Sequence, residues 1–226
     1  MRVAPERRGR ADRSGDILAT AGVHIGGTDF DRLLAMSRIM PELGLGTRTR
    51  DGKRHLPVWY FNDMATWHKI NQLYTAATMR DIQSLKREAA EPQKLEIYQH
   101  LLAHRSGHRL AAQVEKAKIE LTDVEDAVIT LREPGLSLEV PVSRAEFAQA
   151  TAELVSKIGI AIDAALVDAG VGAEAIDTVV MTGGGAQVPA VRDAAVARFP
   201  HARIAQIDRF GAVGLGLPVD AARRFA

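Results

Sequence analysis

The chain has 226 residues, 46% hydrophobic and 25% charged, with 29 basic against 28 acidic side chains and a net charge of +1. That length can bury a sizeable core, the composition excludes a mostly disordered chain, and the charge balance excludes a global field that would draw nucleic acid or an anionic membrane. There is no cysteine, hence no disulfide, thiolate zinc site or cysteine nucleophile; no apolar run reaches the roughly 20 residues that span a bilayer, and the start lacks a signal-peptide core, so a cytoplasmic location is expected.

Residues 1–16 hold five arginines and almost no apolar side chains, which predicts a basic, solvated arm. No aromatics are interleaved there for base stacking, so an RNA-binding arm is the weaker reading. From Ile17 the apolar ILATAGVHI predicts a strand ending at the turn Gly26-Gly27, and TDFDRLLAMSRIM predicts a helix that Thr28 or Asp29 can cap. Asp29 reads as a cap and dipole partner in preference to a magnesium ligand. Periodicity vanishes between Pro41 and Pro57, which marks a loop. A largely helical region follows from about Asn62 to Leu121, broken near Pro92 and Gly107.

In its last helix Leu110, Val114, Ala117 and Leu121 recur at helical spacing and define a buried face, with Glu115 and Lys118 elsewhere on the surface, three apart. Trp59, Tyr60, Phe61 and Trp67 read as core or subdomain contacts. His100, His104 and His108 would share one face only if a single helix ran through Gly107. They lack a metalloprotease-type motif, so the expectation is surface histidines and no metal.

Two strands, DAVITL and LSLEVPV, flank Arg132-Glu133-Pro134-Gly135 and predict a hairpin. Ser143-Arg144-Ala145-Glu146 is a capping box opening a long helix that Gly170 should end. The last third alternates strand and helix: TVVMT, the turn Gly183-Gly184-Gly185, VPAVRDAAVARF, RIAQI and a terminal helix from GAVGLGL. This is an α/β pattern implying a parallel or mixed sheet, with the triple glycine at a strand's carboxyl end. Such a run lets backbone approach a ligand, although a bare tight turn would look the same.

Three segments in order, HIGGTDFDRLLA, QVEKAKIELT and VVMTGGGAQVPAVRDAAVARFP, resemble the later nucleotide-binding segments of the heat-shock protein 70 family, where comparable stretches read HLGGEDFD, E-x-A-K-x-x-L-S and VLVGGSTRIPxV. The intervening LPVWYFNDMATWHKINQLYTAATMRDIQSLKREA resembles the YegD-like branch, and the resemblance runs from about Asp16 onward. It implies an actin-like ATPase fold with a ribonuclease H-like mixed sheet and flanking helices, of which this chain supplies lobe II. A largely helical inserted subdomain would occupy about 41–140, and a core α/β subdomain 17–40 and 141–226. ATP or ADP with magnesium would lie between two lobes.

By the same resemblance, Gly26 and Gly27 would lie near the phosphates. Glu115, Lys118 and Thr122 would line the adenosine pocket from one side, and Gly183, Gly184, Gly185, Gln187 and Val188 from the other. Glu115 can accept from ribose hydroxyls and Lys118 can donate to them. The chain departs from the family pattern at Ile119 and Gln187, where arginines are usual, and near Phe210, where an acid is usual. It contains neither the DxGTT nor the DxGGGT phosphate turn, so no catalytic residue is assigned and the chain alone is expected not to hydrolyse ATP. Competing expectations are an interaction lobe that docks a separate first lobe or a co-chaperone, and a fragment of another actin or sugar-kinase superfamily member.

Overall fold

The structure, a computed structural model, describes residues 1–2, 12–206 and 211–225. The chain divides into two compact units, one comprising Met1–Ile25 with Ala152–Ala226 and the other Gly26–Thr151.

In the Gly26–Thr151 unit, α1 (Gly27–Leu34) continues into one turn of π-helix, Ala35–Ile39, and is followed by the expected loop. Helices α2 (Val58–Ala65), α3 (Ala76–Glu88), α4 (Pro92–Ala103) and α5 (Gly107–Glu120) come next, with a 3-10 segment Trp67–Leu73 between α2 and α3. Their starts are local chemistry. The Thr75 hydroxyl accepts the Thr78 N–H at 3.1 Å to open α3, and Pro92 opens α4, where its missing N–H costs nothing.

Two strands close the unit, β1 (Asp126–Glu133) and β2 (Leu136–Ser143), antiparallel with Ile129 opposite Val140. They turn through Pro134 and Gly135, the latter at φ +81°, as a Pro-Gly turn requires. Ala127, Ile129 and Leu131 on β1, and Leu138, Val140 and Val142 on β2, face the core in strict alternation. The long helix α6 (Arg144–Ala169) starts at the expected capping box: Glu146 accepts the Ser143 N–H at 2.8 Å while Ser143 Oγ accepts the Glu146 N–H at 3.2 Å. Phe30 of α1 meets Phe147 of α6 edge-on in this core.

In the other unit, β3 (Thr178–Met181) and β4 (Arg203–Gln206) run parallel and are joined through α7 (Pro189–Arg198), the crossover that parallel strands need. The terminal helix α8 spans Gly211–Phe225. Arg198 forks onto the Asp163 carboxylate of α6 at 2.9 and 3.2 Å. It crosses α6 at Gly159, where a side-chain carbon would stand 2.1 Å from the guanidinium. At the start of the chain, Asp16 is buried and paired with Arg13 at 2.9 Å, and its carbonyl accepts the Arg2 N–H. Residues 3–11 of the expected arm lie outside the described residues.

The described residues carry two separate two-stranded sheets, and the strand expected over 17–25 does not form. A strand is defined by its ladder, and among the described residues this segment has no neighbouring strand to pair with; Ile17 and Val23 are exposed. The long final helices, α6 and α8, do not change the membrane reading: among the described residues no helix is long and apolar enough to cross a bilayer.

Candidate functional site

Helix α5 buries Leu110, Val114 and Ala117, which commits its remaining surface to Glu115, Lys118 and Ile119. Lys118 bends towards α1, where its Nζ lies 2.8 Å from Asp31 Oδ1, and both side chains are largely buried. Burial pushes the Asp31 carboxyl above its ordinary value. The Lys118 ammonium pulls the other way, and the Glu115 charge adds to the rise.

Gly27 lies beside this pair, since a side-chain carbon there would be 3.7 Å from Lys118 Nζ. Gly26 caps α1, and its own N–H is held at 2.8 Å by the Asp29 carboxylate. The cap thus lies two residues before Thr28, earlier than expected, and Asp29 sits at the third helical position and reaches back to the Gly26 N–H, which is already engaged.

A cavity of about 330 Å³ opens in the same unit, within the range of small-molecule sites. Its lining includes Met64, Trp67, His108 and Val114, together with the carboxylate residues Asp31 and Glu115. Trp67 meets His108 edge-on at 6.0 Å. Trp59 and Trp67, read from the sequence as core or subdomain contacts, do not enter the core: they are 50% and 62% exposed. The buried face of α2 is taken by Tyr60, Phe61 and Met64, and Trp67 borders the cavity without filling it. No sequence signal marked the cavity or the place of Trp67 beside it, because neither has a periodicity or a motif.

Thr122 lies just past the end of α5. Its N–H bonds the Ile119 carbonyl at 3.0 Å, and its own carbonyl faces Arg144, whose guanidinium also takes the carbonyls of Leu121 and Val124. Arg144 thus satisfies carbonyls that a helix end leaves open.

In the unit that holds β3, the glycine turn is a continuous backbone feature. Gly183 sits at φ +84°, Gly184 at φ −62° precedes the 3-10 turn Gly185–Gln187, and Val188 is buried and hands over to Pro189 at the start of α7. A side-chain carbon at Gly183 or Gly184 would meet nothing within 4 Å, so the turn presents bare backbone to open space. The expected residues thus form two local sets: Gly26, Gly27, Glu115 and Lys118 in one unit, with Thr122 at the end of the same helix, and Gly183, Gly184, Gly185, Gln187 and Val188 in the other. Phe210 lies outside the described residues.

The family model described as Hsp70 protein matches residues 82–222, more than half of the chain. The chain is 40% identical over 93 residues to the chaperone protein dnaK of Cyanophora paradoxa, covering 38% of this chain and 15% of that protein. It is 37% identical over 93 residues to the chaperone protein DnaK of Deinococcus proteolyticus, covering 37% of this chain and 15% of that one. A longer match, 26% identical over 185 residues to the chaperone protein dnaK of Guillardia theta, covers 79% of this chain and 22% of that one. The matches thus span at most about a fifth of the length of these curated relatives.

Proposed function

Because the chain belongs to the Hsp70 protein family, we propose that it is the adenine-nucleotide-binding lobe of an ATP-dependent chaperone, built on the actin-like fold and working in the cytoplasm. The observation that carries this reading is the Lys118 ammonium fixed 2.8 Å from Asp31, beside Gly27 and one turn beyond Glu115. A cation and a carboxylate on one helix surface can hydrogen-bond the two hydroxyls of a ribose. The glycine turn, open at Gly183 and Gly184, supports the role proposed for it with Gly185, Gln187 and Val188, admitting a flat base against backbone.

Ile119 is 49% exposed where the family pattern has a cation, and Gln187 likewise replaces one, so base stacking by guanidinium is lost and affinity is modest. The acidic residues beside the first glycines do not fit a magnesium site, since Asp29 holds the Gly26 N–H and Asp31 holds Lys118. No hydrolytic step is assigned to these residues. A separately contributed first lobe or a co-chaperone completes the proposal as partner.

Titration of the chain with ADP and ATP, read by calorimetry and by the fluorescence of Trp67 and Trp59, tests it. Binding in the micromolar to millimolar range, roughly −4 to −8 kcal/mol, is expected, and it should weaken in E115A and K118A. Unchanged affinity in both variants, or repeated turnover of ATP by the chain alone, sinks it.

A further inference from the structure

We propose that His100, His104 and Glu133 form a binding site for one divalent transition-metal ion of the zinc class, in the Gly26–Thr151 unit and separate from the nucleotide residues. Each of the three side chains offers one ligand atom, and these atoms lie within 4.8 Å of one another. His100 stands in the last turn of α4 and His104 caps it, so the two share one face. Their rings stack at 4.0 Å. Glu133 is the last residue of β1, with its side chain only 2% exposed. His100 was expected at the surface, but its side chain is 15% exposed.

The surroundings hold His104 in a coordinating state, while His100 gives up its Nε2 proton when the ion binds. His104 Nδ1 lies 3.0 Å from the His100 carbonyl. A carbonyl can only accept, so Nδ1 carries the proton and Nε2 keeps its lone pair. A backbone carbonyl behind an imidazole is the usual orienting partner of a metal-bound histidine. His100 Nε2 stands 2.9 Å from Glu133 Oε1, yet among the described residues this buried nitrogen makes no oriented hydrogen bond. Two ligand atoms sharing an ion at ordinary metal–nitrogen and metal–oxygen lengths sit about 3–3.5 Å apart, so the pair needs to part by only a few tenths of an ångström. The exposed His104 can swing in to complete the set.

The carboxylate is itself anchored. Ser106 Oγ donates to Oε1 at 2.7 Å, and Arg109 holds Oε2 at 2.5 Å and donates to Ser106 Oγ at 2.8 Å. Gly135, in the turn that follows β1, lies in van der Waals range of the His100 ring, since a side-chain carbon there would stand 3.5 Å from its Cε1.

Two imidazoles with one carboxylate suit zinc, cobalt, nickel or copper, in contrast to magnesium or calcium, which favour all-oxygen sets. Arg109 neutralises the carboxylate, which moderates the affinity. A bound ion would tie the end of α4 to the end of β1, with its remaining positions open to water on the His104 side.

The test uses the chelator-treated chain without nucleotide, titrated with zinc and with cobalt(II). One ion per chain, a rise in Tm with zinc and visible d–d absorption with cobalt are expected, with no response to magnesium. His104 is exposed, so H104A should fold normally and bind zinc at least tenfold more weakly, whereas H201A should bind like the parent. E133Q should abolish uptake. No zinc bound by the parent chain, or an affinity and stoichiometry untouched by H104A, overturns the proposal, and neither result bears on the nucleotide reading.

Discussion

Lys118 Nζ lies 2.8 Å from Asp31 Oδ1, and this contact joins α5 to α1 with both side chains largely out of water. Two charges in such a place are interdependent: each offsets the desolvation of the other, and removing one leaves the other exposed to the full cost of burial.

K118A should therefore destabilise the chain by about 1–3 kcal/mol, somewhat less than for a fully buried pair because both groups keep some contact with water. The double variant K118A/D31N should lose less than the sum of the two singles. Urea unfolding of the four proteins checks this. Because the folded Asp31 carboxyl is held above its ordinary value, the folded state binds that proton more tightly than the unfolded chain does. Its contribution is greatest at low pH and is lost as pH rises through the raised value, and D31N should flatten that limb of the stability profile.

The glycine turn separates conformational strain from ligand access. Gly183 has φ +84°, so G183A should cost about 1–2 kcal/mol of stability although nothing lies within 4 Å of the added carbon. Gly184 has φ −62° and the same open surroundings, so G184A should leave stability within about 0.5 kcal/mol. If a base docks on this turn, G184A should still weaken ADP roughly tenfold, near 1.4 kcal/mol. Unfolding curves and calorimetry on the two variants distinguish these outcomes.

These positions also mark how far the sequence could be read. The 134–135 turn, the Ser143–Glu146 box and the glycine run are signals spread over a few residues, and local chemistry suffices to set them. The segment 17–25 has the composition of a strand but no ladder partner among the described residues, and composition cannot supply one. The site was legible only in part for the same reason. Lys118 and Glu115 stand on one readable helix, whereas the pairing of Lys118 with Asp31, the place of Trp67 beside the cavity and the approach of Glu133 to His100 each join residues distant in the chain.

The capping box offers a pH test of its own. The Glu146 carboxyl is held below its ordinary value by the Ser143 backbone N–H, then by the Ser143 hydroxyl, with a further contribution from Arg38 at 2.8 Å. Its contribution is therefore present above the ordinary glutamate range and is lost as pH falls through the depressed value. E146Q should remove that acid-side loss. S143A, which takes away the acceptor for the Glu146 N–H, should cost about 1 kcal/mol at neutral pH. Chemical denaturation at a series of pH values reads both.

Gly107 begins α5 and sets where its functional surface stands. Its N–H donates to Tyr74 Oη at 3.0 Å, and a side-chain carbon there would come within 2.6 Å of Ile70 Cγ2 and 2.9 Å of that same oxygen. G107A should overpack the contact and cost about 1–3 kcal/mol. Y74F makes the complementary change: it removes the acceptor and keeps the space, leaving a buried N–H without its partner at a cost of about 1–3 kcal/mol. The two should differ in the cavity. G107A must push α5 away from the 3-10 segment that carries Trp67 and should shift its fluorescence, whereas Y74F should leave the emission unchanged at equal loss of stability. An unshifted spectrum in G107A would mean that the start of α5 does not govern the cavity wall.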